Sequence, residues 1–257
     1  MLGKGKEYLE VIAALLRRVE DEQAEAIARA ADLIAETLVQ GRALFAFGAV
    51  HSSLPVSDVF IRAGGLALLN QIKAPAMNSV EYDPPMLWIG MERLEGYGSL
   101  IARNAHLKPG DALIIVSVSG RNPVSVEIAM TAKQKKVKVI VVTSLAYSKS
   151  LPSRHSSGKK LFELGDVVID CMSVPGDAIL EHGALPVKFC ATSGVINTAI
   201  LQTLMAETIE RSIARGFIPP VFIAGNLDGY ESYKHEFHKQ LEENRDRIFY
   251  TIFEEMY

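Results

Sequence analysis

Long apolar runs are missing from this chain. No stretch of its 257 residues approaches the roughly eighteen apolar residues that a membrane-spanning helix needs. The opening segment, Met1-Leu-Gly-Lys-Gly-Lys-Glu-Tyr-Leu-Glu10, lacks the apolar core of a secretion signal. Cysteine is scarce: Cys171 and Cys190 are the only two, too few and too unpatterned for a disulfide framework or a zinc cluster. A basic excess is absent as well. With 27 Lys and Arg against 30 Asp and Glu, the net charge is −3, and nothing announces a nucleic-acid surface. No Gly-x-Gly-x-x-Gly follows a strand with an acid about twenty residues on, which argues against a dinucleotide. These absences predict a cytoplasmic protein with no metal, no redox cofactor, no membrane contact and no nucleic-acid partner.

What is present suits one large domain over residues 1–257. The apolar share is 49% and the charged share 22%, ordinary for a chain that buries a sizeable core. The most informative stretch is Leu113-Ile-Ile-Val-Ser-Val-Ser-Gly-Arg-Asn-Pro123. Leu113 to Val116 read as a buried strand of a parallel sheet, apolar on both faces. Ser117, Ser119, Gly120 and Asn122 then form a tight turn, and Pro123 is suited to the first position of a helix, where its missing N–H costs nothing. Hydroxyls and unpaired backbone N–H groups at a helix start favour an anion such as a phosphate. The same residues also serve a plain helix cap, so the turn alone leaves both readings open.

Taken in order, the chain alternates between the two periodicities. Residues 6–40 read as helices, with stripes at Leu9, Ile12, Leu16 and Val19 and again at Ile27, Ala30, Ala31, Ile34 and Leu38. A break is expected at Glu20-Asp-Glu22 and a stop at Gly41. Ala43 to Phe47 is a first strand, with a polar turn and a helix through Ile61 after it. Leu66 to Leu69 resumes strand character, and residues 70–91 read as irregular. Glu92 to Leu107 is helical. Lys138 to Val142 is another strand, with Thr143-Ser144 at its end. Residues 145–160 read as a loop whose Lys149, Arg154, His155, Lys159 and Lys160 either face solvent or approach an anion. Leu161 to Asp170 gives a last short strand. Residues 177–186 read as loop, Val187 to Arg215 as a long buried helix, Asn226-Leu-Asp-Gly229 as a turn, and residues 226–257 as a helical C-terminal extension.

Such alternation predicts an α/β fold with a parallel sheet covered on both faces. Ligands of such sheets sit beyond the carboxyl ends of the strands, which puts the turns after Phe47, Val116 and Val142 on one rim.

Ser117-Val-Ser-Gly-Arg-Asn122, His51-Ser52, Arg62-Ala-Gly-Gly65, Glu92-Arg-Leu-Glu-Gly-Tyr97 and Asn226-Leu-Asp-Gly229 occur in an order that resembles the sugar isomerase (SIS) domain family of phosphosugar-binding proteins. Within it, the chain is most similar to the uncharacterised proteins related to phosphoheptose isomerase. The resemblance implies a three-layer, flavodoxin-like five-stranded parallel sheet, a homodimer or homotetramer with the pocket near the subunit interface, and a phosphorylated sugar as ligand. It places the phosphate on Ser52, Ser117, Ser119, Gly120 and Asn122, with Gly48, Ser53, Arg121, Thr192 and Ser193 around the rest of the sugar. Two departures stand out. Val50 occupies a position where related sequences carry glycine. Thr192-Ser-Gly-Val-Ile-Asn-Thr198 lacks the histidine that phosphoheptose isomerases place on that helix.

Aldose–ketose isomerisation needs a base to move a proton between adjacent carbons and an acid to serve the oxygens. Glu92 with His51 is the best pair, since both fall in family-like segments. Glu81, Glu95, His106 and the Glu181-His182 pair are the other candidates. A surface ion pair for Glu92 and a backbone-bonded loop histidine for His51 are the competing readings. A phosphosugar-binding module without turnover is the competing function.

Overall fold

The computed structural model describes residues 2–75, 77, 85–226, 228 and 231–250. Five strands, β1 (Leu44–Gly48), β2 (Leu69–Gln71), β3 (Ala112–Val116), β4 (Lys138–Thr143) and β5 (Val167–Asp170), form one sheet in the order β2-β1-β3-β4-β5. All four pairings are parallel. This is the flavodoxin-like order, in which the strand sequence reverses between β1 and β3.

The three layers follow from side chains that alternate along each strand. Leu44, Ala46, Ala112, Ile114, Val116, Ile140 and Val142 pack under α1 (Lys4–Val39), α2 (Ser53–Val59) and α7 (Ser193–Ala214). Phe45, Phe47, Leu113, Ile115, Val139 and Val141 pack on the other face, against α4 (Tyr97–Asn104) and α5 (Pro123–Gln134). Trp88 and Met91 of α3 (Pro85–Glu92) lie against that second core.

Several expectations need correction. The break at Glu20-Asp-Glu22 does not exist: α1 is one helix of 36 residues. The acidic residues lie on its exposed side, where Arg18 Nε holds Glu22 Oε1 at 2.8 Å across the expected break. Residues 145–160 are not all loop, because α6 (Leu145–Ser150) starts after Ser144, whose hydroxyl accepts the Tyr147 N–H as a cap. Residues 70–91 contain the end of β2 and all of α3 but its last residue, Glu92. Residues 177–186 are not loop throughout, and the long helix does not begin at Val187. Instead β6 (Ala178–Leu180) and β7 (Phe189–Ala191) form an antiparallel hairpin before α7 starts at Ser193. Leu180 is the one buried residue of its two strands, so the hairpin lacks the continuous apolar signal of a core strand. Only Asn226 and Asp228 of the Asn226–Gly229 turn are described. Beyond it, α8 (Glu231–Glu243) buries Phe237 and Leu241 against Phe222 and Ala67.

Candidate functional site

The turns after β1 and β3 meet where the strand order reverses, since Gly48 and Val116 are register partners. Gly48 is required by the chain that follows it: a Cβ there would lie 2.0 Å from the backbone oxygen of Ser52. Val50 takes a left-handed φ of +54° and donates its N–H to Met77 O at 2.6 Å. Glycine adopts that conformation freely, whereas an L side chain loses about 1–2 kcal/mol in it. The close turn is therefore made despite the valine. Ser52 follows, half-buried, with no side-chain partner among the described residues. Ser53 is buried, and its hydroxyl donates to Val50 O at 2.5 Å; that serine holds the turn.

The turn after β3 is rich in unused donors. Its strand end is fixed by Ser117 N–H on Val142 O at 3.0 Å and by Ser144 N–H on Val118 O at 3.0 Å. Gly120 lies at φ +58°, and a Cβ there would meet Ser148 Oγ and Thr143 Oγ1, each at 2.9 Å. Among the described residues, no acceptor takes the backbone N–H of Ser119, Gly120, Arg121 or Asn122. Pro123 at the first position of α5 has no N–H to offer. The hydroxyls of Ser117 and Ser119 are likewise without protein partners among the described residues. The helix dipole adds partial positive charge at the same place. An anion of phosphate size is what this donor set can hold.

Asn122 departs from the expected role. Its Oδ1 accepts from Arg154 Nη1 at 2.9 Å, and its side chain hydrogen-bonds the Glu92 carboxylate. The amide thus orients two charged groups beside the donor cup. Glu92 itself is half-buried. Burial raises its pKa above the ordinary carboxylate value, opposed by the Asn122 bond and by Arg154, Arg93 and His51 nearby. The structure so brings Glu92 and His51 within electrostatic reach of each other, at the rim of the serine turn. His51 is exposed, with its ring edge-on to Trp88 at 6.1 Å.

Within residues 145–160, Lys149 and Lys159 are exposed, which fits the solvent-facing reading. The centre of the segment is instead tied back to the chain. Arg154 N–H donates to Arg121 O at 2.9 Å. The His155 side chain is only 9% exposed, with Nε2 3.5 Å from Glu127 Oε1. Glu95 accepts both Ser156 N–H and Ser156 Oγ at 2.6 Å, which lowers the Glu95 pKa. Buried Glu127 also accepts Gly96 N–H at 2.6 Å and Ser99 N–H at 3.1 Å, capping α4 from α5. Nothing in a run of Ser, Lys and Arg signals these long-range bonds. Only the family-like Glu92–Tyr97 segment offered a hint.

Other candidates are engaged elsewhere. Thr192 and Ser193 give their backbone N–H groups and hydroxyls to Asp177, so the start of α7 already carries its anion. Glu181 pairs with Lys188 at 2.8 Å, and exposed His182 accepts Ala184 N–H. His106 stacks on Phe249 at 5.0 Å, in an apolar cavity of about 390 Å³ beside β2 that holds none of the turn residues. Glu81 lies outside the described residues. Cys171 is buried, which pushes its thiol up to about 11 and leaves it unreactive. Among the described residues no cluster of His, Cys, Asp or Glu could hold a metal ion, and no helix is long and apolar enough to cross a membrane.

A parallel sheet in the order 2-1-3-4-5, with an open donor cup at the reversal point, defines a flavodoxin-like architecture. The chain belongs to the SIS domain family, whose model matches residues 7–144. It is 42% identical to a UPF0309 protein of Shouchella clausii over 241 residues, covering 91% of this chain and 98% of the relative. A UPF0309 protein of Streptomyces avermitilis is also 42% identical, over 95% of this chain and 96% of its own. In fold, the phosphoheptose isomerase of Neisseria gonorrhoeae superposes with a TM-score of 0.54 at 15% identity, over 79% of this chain and 95% of that one. The Francisella tularensis phosphoheptose isomerase gives 0.53 at 16%, over 82% and 100%.

Proposed function

We propose that the protein binds a phosphorylated sugar on the turn after β3 and interconverts its aldose and ketose forms. The observation that carries this reading is the row of N–H groups at Ser119 to Asn122 that are unpaired among the described residues, with the hydroxyls of Ser52, Ser117 and Ser119, likewise without partners there, around it. Phosphate held there leaves the sugar chain to run towards Glu92. Glu92 takes the proton from C2 of the open-chain aldose, leaving an enediolate, and returns it to C1. His51 moves the hydroxyl proton between the two oxygens, so that no atom is gained or lost. A carboxyl whose pKa burial raises, against the opposing pull of Asn122 and neighbouring guanidinium groups, is shifted in the direction such a base needs. The chemistry requires neither metal nor redox cofactor.

The α7 start favours a second reading, in which the protein binds the phosphosugar without turnover. No histidine stands there, and Asp177 occupies its donors. A panel of hexose and heptose phosphates assayed for aldose–ketose conversion separates the two. Turnover that Glu92→Gln abolishes while binding persists supports the isomerase. Tight binding with no conversion across the panel leaves the module.

The resemblance also points to a homodimer or homotetramer. Exposed Leu9 on α1 and exposed Val195 and Ile213 on α7 support an association through those helices, which sedimentation equilibrium tests.

A further inference from the structure

We propose that the ligand carries a second anionic group besides its phosphate, held by Arg93, Arg121 and Arg154 at the rim of the serine turn. This rests on the phosphosugar reading above and adds a substrate class to it.

Arg93, Arg121 and Arg154 make no ion pair among the described residues, a state they share with Arg17, Arg29, Arg42, Arg103 and Arg247. Two further features set them apart. They crowd one another: burial, and after it the charges of Arg121 and Arg93, pull the Arg154 pKa below the ordinary guanidinium value, with Glu92 the one carboxylate opposing them. Finally, Arg121 Nε is buried with no acceptor among the described residues, a state that is costly unless a partner arrives.

Like charges stay together only where the surrounding structure holds them. Here Arg154 is pinned by its N–H on Arg121 O and its Nη1 on Asn122 Oδ1, both at 2.9 Å. Its loop is clamped by Glu95 on Ser156. The phosphate cup next door is furnished with neutral donors, amides and hydroxyls. Three guanidinium groups against one carboxylate therefore leave positive charge over for a further acid group. The planar fork of arginine fits a carboxylate or a second phosphate through paired hydrogen bonds.

Calorimetric titration of the full chain with 6-phosphogluconate and with glucitol 6-phosphate tests this. The two share an open six-carbon chain and a phosphate, and differ at C1 in carboxylate against hydroxymethyl. The expected result is about tenfold tighter binding of 6-phosphogluconate, equivalent to ~1.4 kcal/mol. That ratio should fall towards one in both Arg93→Gln and Arg154→Gln. Mannitol 1,6-bisphosphate forms a third arm; if it binds more tightly than 6-phosphogluconate, the second group is a phosphate. Equal affinities in the unaltered protein, or a ratio that survives both substitutions, overturn the second-anion proposal and leave the phosphosugar reading standing. Failure of all three ligands to bind overturns both.

Discussion

Glu92 sits where its usefulness and its cost have the same origin. Burial raises its pKa, so the folded protein keeps that proton to a higher pH than the unfolded chain does. By linkage, the residue detracts from stability as pH rises from the ordinary carboxylate value through the folded one. Glu92→Gln removes that loss. The variant should lose about 10²–10⁴-fold in conversion yet melt at the same or a higher temperature at about pH 8, the difference vanishing near pH 4, where both states are protonated. A variant that melts lower at pH 8 would make Glu92 a structural residue. Ser119 gives the complementary test. Half-buried and without a protein partner among the described residues, its hydroxyl has nothing to stabilise in the free protein. Ser119→Ala should leave the melting temperature unchanged and weaken a phosphosugar about 10–150-fold, the worth of one hydrogen bond to a charged group. Equal weakening of the unphosphorylated sugar would take the serine off the phosphate.

At the scale of elements, the start of α7 separates folding from binding. Asp177 accepts Ser193 N–H at 2.9 Å and Ser193 Oγ at 2.5 Å, together with both donors of Thr192. Asp177→Ala should therefore lower unfolding free energy by about 1–2 kcal/mol in urea titrations while phosphosugar affinity stays the same. If affinity falls instead, Thr192 and Ser193 return to the ligand. The elements that sequence periodicity reveals are the ones whose apolar residues meet the core at fixed spacing: β1, β3 and β4 alternate between two cores, and Pro123 stands at the first position of α5. Where structure is held by polar long-range bonds, local pattern is silent. An acidic triplet reads as a break although Arg18 and Glu22 bridge it on a solvent face. The 145–160 segment reads as a loop with its cations towards solvent or an anion, although Glu95, Glu127 and Asn122 tie its second half to other parts of the chain. So the serine turn, Glu92, His51 and Arg154 could be named from the sequence as candidates, but the clamp that orients Arg154 could not.

The whole molecule joins these parts through a sheet whose strands are fixed in register while the turns at one rim are left with unpaired donors. A ligand that pairs those donors binds only the folded state, so at a concentration of 100 Kd it adds about 2.7 kcal/mol to stability. For a chain of this size that corresponds to a rise of about 5–10 °C in melting temperature. The unphosphorylated sugar, offering no anion to the cup, should produce no such rise at the same concentration. Hydrogen exchange locates the effect. New protection is expected at residues 48–53 and 117–123, and at residues 151–160, because Arg154 links that segment to the turn through Arg121 O and Asn122 Oδ1. The β6–β7 hairpin, tied to α7 through Asp177, should exchange at its original rate. Protection confined to that hairpin and the start of α7 would move the ligand off the point where the strand order reverses, and the serine turn would then be a helix cap and nothing more.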